Sequence, residues 1–173
     1  MAEAVFAEIA RPTGPGGRLL DSVCRLFAVG GGIMLVLMAA MSLASVIGRS
    51  LFDRPILGDY ELVQVMSAIA VSMTLPFCQL ARGHVIVDFF TTRCPKRFNT
   101  GLDVAASLLL ALAGFVVAWR VAVGMVELRT NADASMLLGF PTWIAYAPMV
   151  PSFFLLGCAA LFTAWTDLRG GAR

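Results

Sequence analysis

Four long apolar stretches, separated by short charged loops, constrain this chain more than any other feature of its sequence. Residues 26–48 contain no ionisable side chain. At a rise of 1.5 Å per residue, a helix of this length crosses a hydrocarbon core of about 30 Å. Three further stretches cover residues 62–81, 102–126 and 143–165. The pattern predicts an all-α membrane protein with four transmembrane helices, in a domain of residues 26–165.

Composition supports a membrane protein and limits what else the chain can contain. Charged residues make up 14% of the sequence, against about 25% in a typical soluble domain, and the mean hydropathy is +0.83. Four spans use up 173 residues, which leaves no room for a soluble catalytic domain. The net charge of +2 gives no reason to expect a nucleic-acid partner.

The distribution of basic residues predicts the orientation. Nine of the 13 Lys and Arg residues lie before the first span, between the second and third, or after the fourth. By the positive-inside rule both termini are cytoplasmic. We expect residues 1–25, which are rich in Pro and Gly, to be a disordered cytoplasmic segment, and residues 166–173 to be a cytoplasmic tail. Apolar and basic residues in 84–97 predict a short cytoplasmic interfacial segment between helices two and three.

Small residues recur at four-residue spacing in three spans, which places them on one stripe of each helix. They are Ala40, Ala44 and Gly48 in the first span, Gly114, Ala118 and Ala122 in the third, and Gly157, Ala160 and Ala164 in the fourth. Such stripes serve either a tight interface with another subunit or packing among the four helices. The sequence leaves both interpretations open.

Two polar features lie within the apolar stretches. Gln64, Ser72 and Pro76 share one face of the second span, and we interpret that face as a structural interface rather than a substrate path because it carries no charge. Arg120 interrupts the third span, where it either extends toward the lipid headgroups or serves as a buried functional charge.

The sequence predicts no catalytic residue, no cofactor site and no metal site. His84 is the only histidine, which argues against bis-histidine haem ligation and histidine-rich metal sites. No Walker motif and no G-x-S-x-G motif occurs. Ion-coupled carriers usually hold ionisable groups or broken helices near the membrane midplane. Because the apolar stretches hold no acidic group except Asp103, at the start of the third, a partner to a larger transport subunit is favoured.

Three motifs in order narrow this interpretation. Arg49 closes the first span and Glu61-Leu62 opens the second, after Asp59. Arg82-Gly83-His84-Val85-Ile86-Val87-Asp88 follows the second span, and Pro141, Trp143, Tyr146 and Pro151 mark the entry to the fourth. Together, across residues 26–165, they resemble the DctQ-type small membrane subunit of tripartite ATP-independent periplasmic (TRAP) transporters.

The resemblance implies a scaffold subunit in the bacterial inner (plasma) membrane and not an enzyme. Its implied partners are a large TRAP permease subunit, a periplasmic substrate-binding protein and the lipid bilayer. The complex would import an organic acid with a sodium gradient, and dicarboxylates, keto acids and sugar acids all stay open. Two alternatives remain, namely a self-contained small membrane transporter and a membrane anchor subunit of a redox enzyme.

The motif residues are candidates for a partner interface, and each also has a local explanation. Asp59 and Glu61 suit the N-terminus of helix two, as cap and as dipole partner, and this explanation is favoured over pairing with the binding protein. His84 and Asp88 suit capping of the interfacial segment rather than contact with the permease. Trp143 and Tyr146 suit the aromatic belt. The full candidate set is Arg49, Asp59, Glu61, Gln64, Arg82, His84, Asp88, Pro141, Trp143, Tyr146 and Pro151.

Overall fold

The computed structural model describes residues 15–52, 58–81 and 96–170. Within these ranges the chain is helical except at residues 58 and 81, in the connection 131–142 and at residues 147–148, and none of the described residues forms a strand. The helices are α1 Pro15–Phe52, α2 Asp59–Leu80, α3 Lys96–Thr130, α4 Trp143–Tyr146 and α5 Met149–Gly170. Four segments are long and apolar enough to span a membrane: Gly17–Leu51, Asp59–Leu80, Gly101–Thr130 and Trp143–Leu168. The predicted all-α fold with four spans is confirmed.

Helix α1 starts well before the first predicted span. It begins at Pro15, so the expectation of disorder is wrong for residues 15–25, whereas residues 1–14 lie outside the described part. Proline is favoured at a helix start because its missing N–H has no partner there. Two glycines follow it, and good helix formers begin only at Arg18. Arg25 lies 3.4 Å from Asp21, one turn earlier, which adds an ion pair along the helix.

The fourth predicted span is interrupted near its start. Helix α4 ends at Tyr146, and α5 begins at Met149. Pro148 lies between them and cannot donate the hydrogen bond that would continue the first helix. Pro151 is then tolerated, because it occupies the first turn of α5, where N–H groups have no partner in any case. The fourth candidate span, Trp143–Leu168, thus covers the predicted stretch and contains a break at residues 147–148.

The spanning helices form a row rather than a closed bundle. Helix α1 packs on α2, α2 on α5, and α5 on α3, while α1 and α3 share no contact among the described residues. The α1–α2 contact is close at Gly31, where an added Cβ would lie 2.9 Å from the Ala70 carbonyl oxygen. The α3–α5 contact is close at Gly114, where it would lie 3.0 Å from the Gly157 nitrogen.

The three stripes of small residues differ in whether they pack against another helix of the same chain. The stripes on α3 and α5 are used within the chain, since Ala118, Ala160 and Ala164 are buried and Gly114 meets Gly157. The stripe on α1 is not used in this way, because Ala40 and Ala44 are exposed. Helix α1 is also the span with the smallest buried share.

The packing of the helices buries some polar residues of the spans and leaves others exposed. Ser72 and Pro76 are buried, and α2 continues through Pro76 to Leu80. Gln64, nearer the start of the same helix, is exposed. Arg120 is exposed on α3, which does not fit the alternative of a buried functional charge.

Candidate functional site

The candidate site lies where α1 ends, α2 begins and the α3–α4 connection returns to the row. Gly58 is the N-cap of α2 and has φ of 81°, a left-handed conformation that glycine adopts without steric cost. Asp59, expected to be the cap, is instead the first helical residue. Asp59 and Glu61 both lie in the first turn, where the helix dipole favours negative charge.

Asp59 joins α2 to α1 through one of its carboxylate oxygens. Ser45 on α1 donates a hydrogen bond of 2.7 Å to Asp59 Oδ2. The Arg49 guanidinium lies 3.5 Å from the same oxygen. Ser45 is only 2% exposed, whereas the Arg49 side chain is 53% exposed. The serine contact is therefore the shielded part of this group, and the arginine is its solvent-facing part.

Glu61 holds the α3–α4 connection against the start of α2. The Ser135 hydroxyl donates to Glu61 Oε2, and the Leu137 amide donates to Glu61 Oε1 at 3.3 Å. The connection thereby returns to a helix more than 70 residues earlier in the chain. Hydrogen bonds to a charged acceptor are stronger than neutral ones, so Glu61 holds this loop in place against the start of α2.

The connection is a tight hairpin-like turn. The Ser135 amide donates to the Phe140 carbonyl at 2.8 Å, and the Gly139 amide donates to the Ser135 carbonyl at 3.1 Å. Gly139 has φ of 63°, which suits glycine. Leu138 then lies against Gly58, where an added Cβ would be 2.7 Å from Leu138 Cγ. The N-cap residue Gly58 and the first-turn residue Glu61 of α2 therefore fix the position of the turn.

The entry to the fourth span packs against α3. The Arg129 guanidinium carbon lies 5.4 Å from the centroid of a Trp143 ring, a cation–π distance. Tyr146 lies beside Gly124, where an added Cβ would be 3.9 Å from Tyr146 Cε1. Both aromatic residues are half-buried. Pro141 and Pro151 are exposed, and Pro141 pairs with Ala134 in an isolated β-bridge.

The structure brings together part of the predicted set. Arg49 and Asp59 form one contact, and Glu61 lies in the same first turn of α2 as Asp59. Trp143 and Tyr146 line the side facing α3. Arg82, His84 and Asp88 lie outside the described residues, as does the interfacial segment expected near them up to residue 95. The proposal that these side chains contact partner proteins stays a prediction.

Sequence reasoning missed three residues of this arrangement, namely Ser45, Arg129 and Ser135. Ser45 could have been found, because it lies one helical turn before Arg49 and therefore on the same face of α1. Arg129 could have been considered as a neighbour of the aromatic residues at the same membrane boundary. Ser135 carries no local signal, since its contact with Glu61 depends on how the loop folds back.

The polar residues of this arrangement hold neighbouring elements of the chain together. Asp59 and Glu61 both accept hydrogen bonds from neighbouring elements of the same chain. No group of three or more His, Cys, Asp and Glu side chains in the described ranges is placed to hold a metal ion. The cysteines described, Cys24, Cys78 and Cys158, are free thiols.

A row of four apolar spanning helices, joined at one end by polar contacts between helix termini, defines this chain as a multi-pass helical membrane protein. The sequence model of the family described as "Tripartite ATP-independent periplasmic transporters, DctQ component" matches residues 38–170. The chain belongs to this family and is a TRAP transporter small membrane component, as its motifs indicate. The comparisons with curated proteins and with solved structures gave no match.

Proposed function

We propose that the chain is the scaffold subunit of a binding-protein-dependent secondary transporter that imports an organic acid with a sodium gradient across the bacterial inner membrane. The observation that carries the proposal is the family match, which covers most of the membrane-spanning part. The chain itself catalyses no reaction in this proposal. Its partners are a large permease subunit, which carries the substrate and sodium sites, and a periplasmic substrate-binding protein.

The character of the spans supports a scaffold rather than a carrier. The carboxylates of Asp59 and Glu61 lie at the start of α2 and are engaged by Ser45, Arg49, Ser135 and Leu137. They therefore join elements of the chain and are not free to bind a cation or a substrate. Carriers generally need such groups near the midplane. The large subunit would supply them.

The outward side of α1 is the surface that we assign to the large subunit. Helix α1 lies at one end of the row. Its small residues Ala40 and Ala44 are exposed rather than buried against α2 or α5. Small residues allow a second helix to approach closely. In the same proposal, Gln64, Arg82, His84 and Asp88 contribute to contacts with the permease.

The polar end of the row is assigned to the periplasmic side, with both chain termini in the cytoplasm. The positive-inside bias of the sequence supports this orientation. Arg49, with an exposed guanidinium, and the exposed Pro141 and Pro151 would then be available to the binding protein. Charges of this kind influence the association rate more than the final affinity.

The experiment that tests the proposal is co-purification followed by transport. The chain is expressed together with a large TRAP permease subunit from the same genome, with an affinity tag on this chain only. A stable complex, and sodium-dependent organic acid uptake by proteoliposomes only when the permease and binding protein are also present, are expected. Uptake by this chain alone would contradict the scaffold role and support a self-contained transporter. Bound haem or quinone in the purified chain would support a redox anchor instead.

A further inference from the structure

The turn between α3 and α4 carries an exposed apolar surface that the proposed function does not use. We call residues 136–140 the apolar turn. Met136 is 99% exposed and Leu137 is 64% exposed. Leu138 and Phe140 are about two-fifths exposed. A cluster of large apolar side chains at the tip of a loop is unfavourable in water and indicates a surface that another apolar phase covers.

The exposure is built into the shape of the turn. The Ser135–Phe140 and Gly139–Ser135 hydrogen bonds close it, and the left-handed Gly139 permits the reversal. Glu61 holds its near side through Ser135 and the Leu137 amide. The Leu137 amide is thus hydrogen-bonded within the chain, while the side chains of Met136 and Leu137 remain exposed.

The apolar turn lies at the depth of a membrane boundary. Helix α2 has 22 residues, so it is about 33 Å long and matches a hydrocarbon core of about 30 Å. Its acidic first turn marks one boundary, and its end at Leu80 marks the other. Because Glu61 and Gly58 both contact the connection, the turn lies beside the first of these boundaries rather than far out in the aqueous phase.

The charge pattern favours lipid over a protein as the covering phase. Residues 134–145 contain no Asp, Glu, Lys, Arg or His, whereas a surface for a soluble protein usually has a polar and charged rim. The turn leads directly into Trp143, a residue type enriched at the membrane–water boundary. We propose that the apolar turn inserts Met136 and Leu137 into the headgroup–acyl boundary of the bilayer and anchors this end of the helix row to lipid.

The test measures the depth of a probe on the turn. In a background in which Cys24, Cys78, Cys94 and Cys158 are replaced by alanine, Met136→Cys is labelled with an environment-sensitive fluorophore. Asn131→Cys is the matched control, because Asn131 is an exposed polar residue of the same connection. Both proteins are reconstituted in phosphatidylethanolamine–phosphatidylglycerol vesicles, alone and with the large subunit, after circular dichroism shows that the helical content is unchanged. If the alanine background fails to fold, the same labels are placed in the chain with its native cysteines, and the signal of the unsubstituted chain is subtracted.

Insertion predicts quenching of the label at position 136 by spin-labelled lipid, and iodide quenching several-fold weaker than at position 131. The result should be the same with and without the large subunit, so it does not depend on the proposed transport role. Equal iodide quenching at the two positions would overturn the proposal. A label at 136 that becomes shielded only when the large subunit or the binding protein is added would also overturn it, in favour of a protein contact.

Discussion

Ser45 on α1 donates a hydrogen bond of 2.7 Å to Asp59, the first residue of α2, and so joins the two helices directly. The same carboxylate oxygen faces Arg49 at 3.5 Å. Because the Ser45 hydroxyl is buried and the Arg49 guanidinium is exposed, the two contacts should contribute unequally to the stability of the fold.

Asp59→Ala should destabilise the chain more than Arg49→Ala does. The first substitution leaves the buried Ser45 hydroxyl without its acceptor, which costs about 1–3 kcal/mol. The second removes an exposed ion pair worth about 0–1 kcal/mol. Thermal unfolding in detergent micelles, followed by circular dichroism, measures both effects. Asp103→Ala, at an exposed position of α3, is the control and should leave the midpoint unchanged. An equal loss for Asp59→Ala and Arg49→Ala would show that the ion pair, not the serine contact, is the important one.

Glu61→Ala should release the α3–α4 connection without disturbing the spans. Hydrogen bonds to charged groups contribute about 1.5–3 kcal/mol, so exchange of the Leu137 and Leu138 amides should accelerate on the order of tenfold. Hydrogen–deuterium exchange with mass spectrometry reports this region directly. Glu127→Ala, which changes an exposed carboxylate at the end of α3, serves as the control. Unchanged exchange in Glu61→Ala would mean that the backbone hydrogen bonds of the turn suffice to hold it.

Gly157→Ala should weaken the contact between α3 and α5. An added Cβ would lie 2.9 Å from ring atoms of Phe115, and overpacking of this kind costs about 1–3 kcal/mol. Gly114→Ala should be at least as harmful, since its near neighbours are backbone atoms of Gly157 and Phe153, which have little freedom to move. The melting midpoint in detergent is the measurement.

The matched control for these glycines is Gly32→Ala. Nothing lies within 4 Å of a Cβ built at Gly32, so the alanine should be neutral or stabilise α1 by up to about 1 kcal/mol through its helix propensity. A loss of stability at Gly32 similar to that at Gly157 would contradict the close-contact explanation.

Ala44→Trp should weaken the complex with the large permease subunit if the outward side of α1 is the interface. A bulky ring on this stripe prevents close approach of a second helix, and steric conflicts of this kind cost about 1–3 kcal/mol. Recovery of the permease in co-purification is the readout. Ala113→Trp on α3, also an exposed alanine, should leave recovery unchanged. If only the α3 variant loses the permease, the partner lies on the opposite end of the row.

The spans and the family could be predicted because both depend on local information. Hydropathy identifies each span by itself, and the motifs around Arg49, His84 and Trp143 are read directly from sequence. The break between α4 and α5 could also have been predicted, because Pro148 and Pro151 lie next to it. Its presence was missed because the apolar run continues through both prolines and hides the change in backbone hydrogen bonding.

The row of helices and the contact between Glu61 and Ser135 could not be predicted in this way. A stripe such as Ala40 and Ala44 shows that close packing is possible, but it has the same pattern whether the neighbour belongs to the chain or to another subunit. The partner of Glu61 lies more than 70 residues away, and no periodicity connects the two positions. Such contacts depend on the order in which whole helices assemble.

Helix α1 has 38 residues, so its axis is about 57 Å long, well beyond the thickness of a lipid hydrocarbon layer. The contacts of Ser45 and Arg49 with Asp59 hold one end near a membrane surface. The surplus length extends toward the opposite surface, where Arg18 and Arg25 are exposed and Cys24 between them is buried. The first turns of α1 therefore have two different sides: a basic side, with Arg18 and Arg25, that stays exposed, and a side at Cys24 that is buried within the chain.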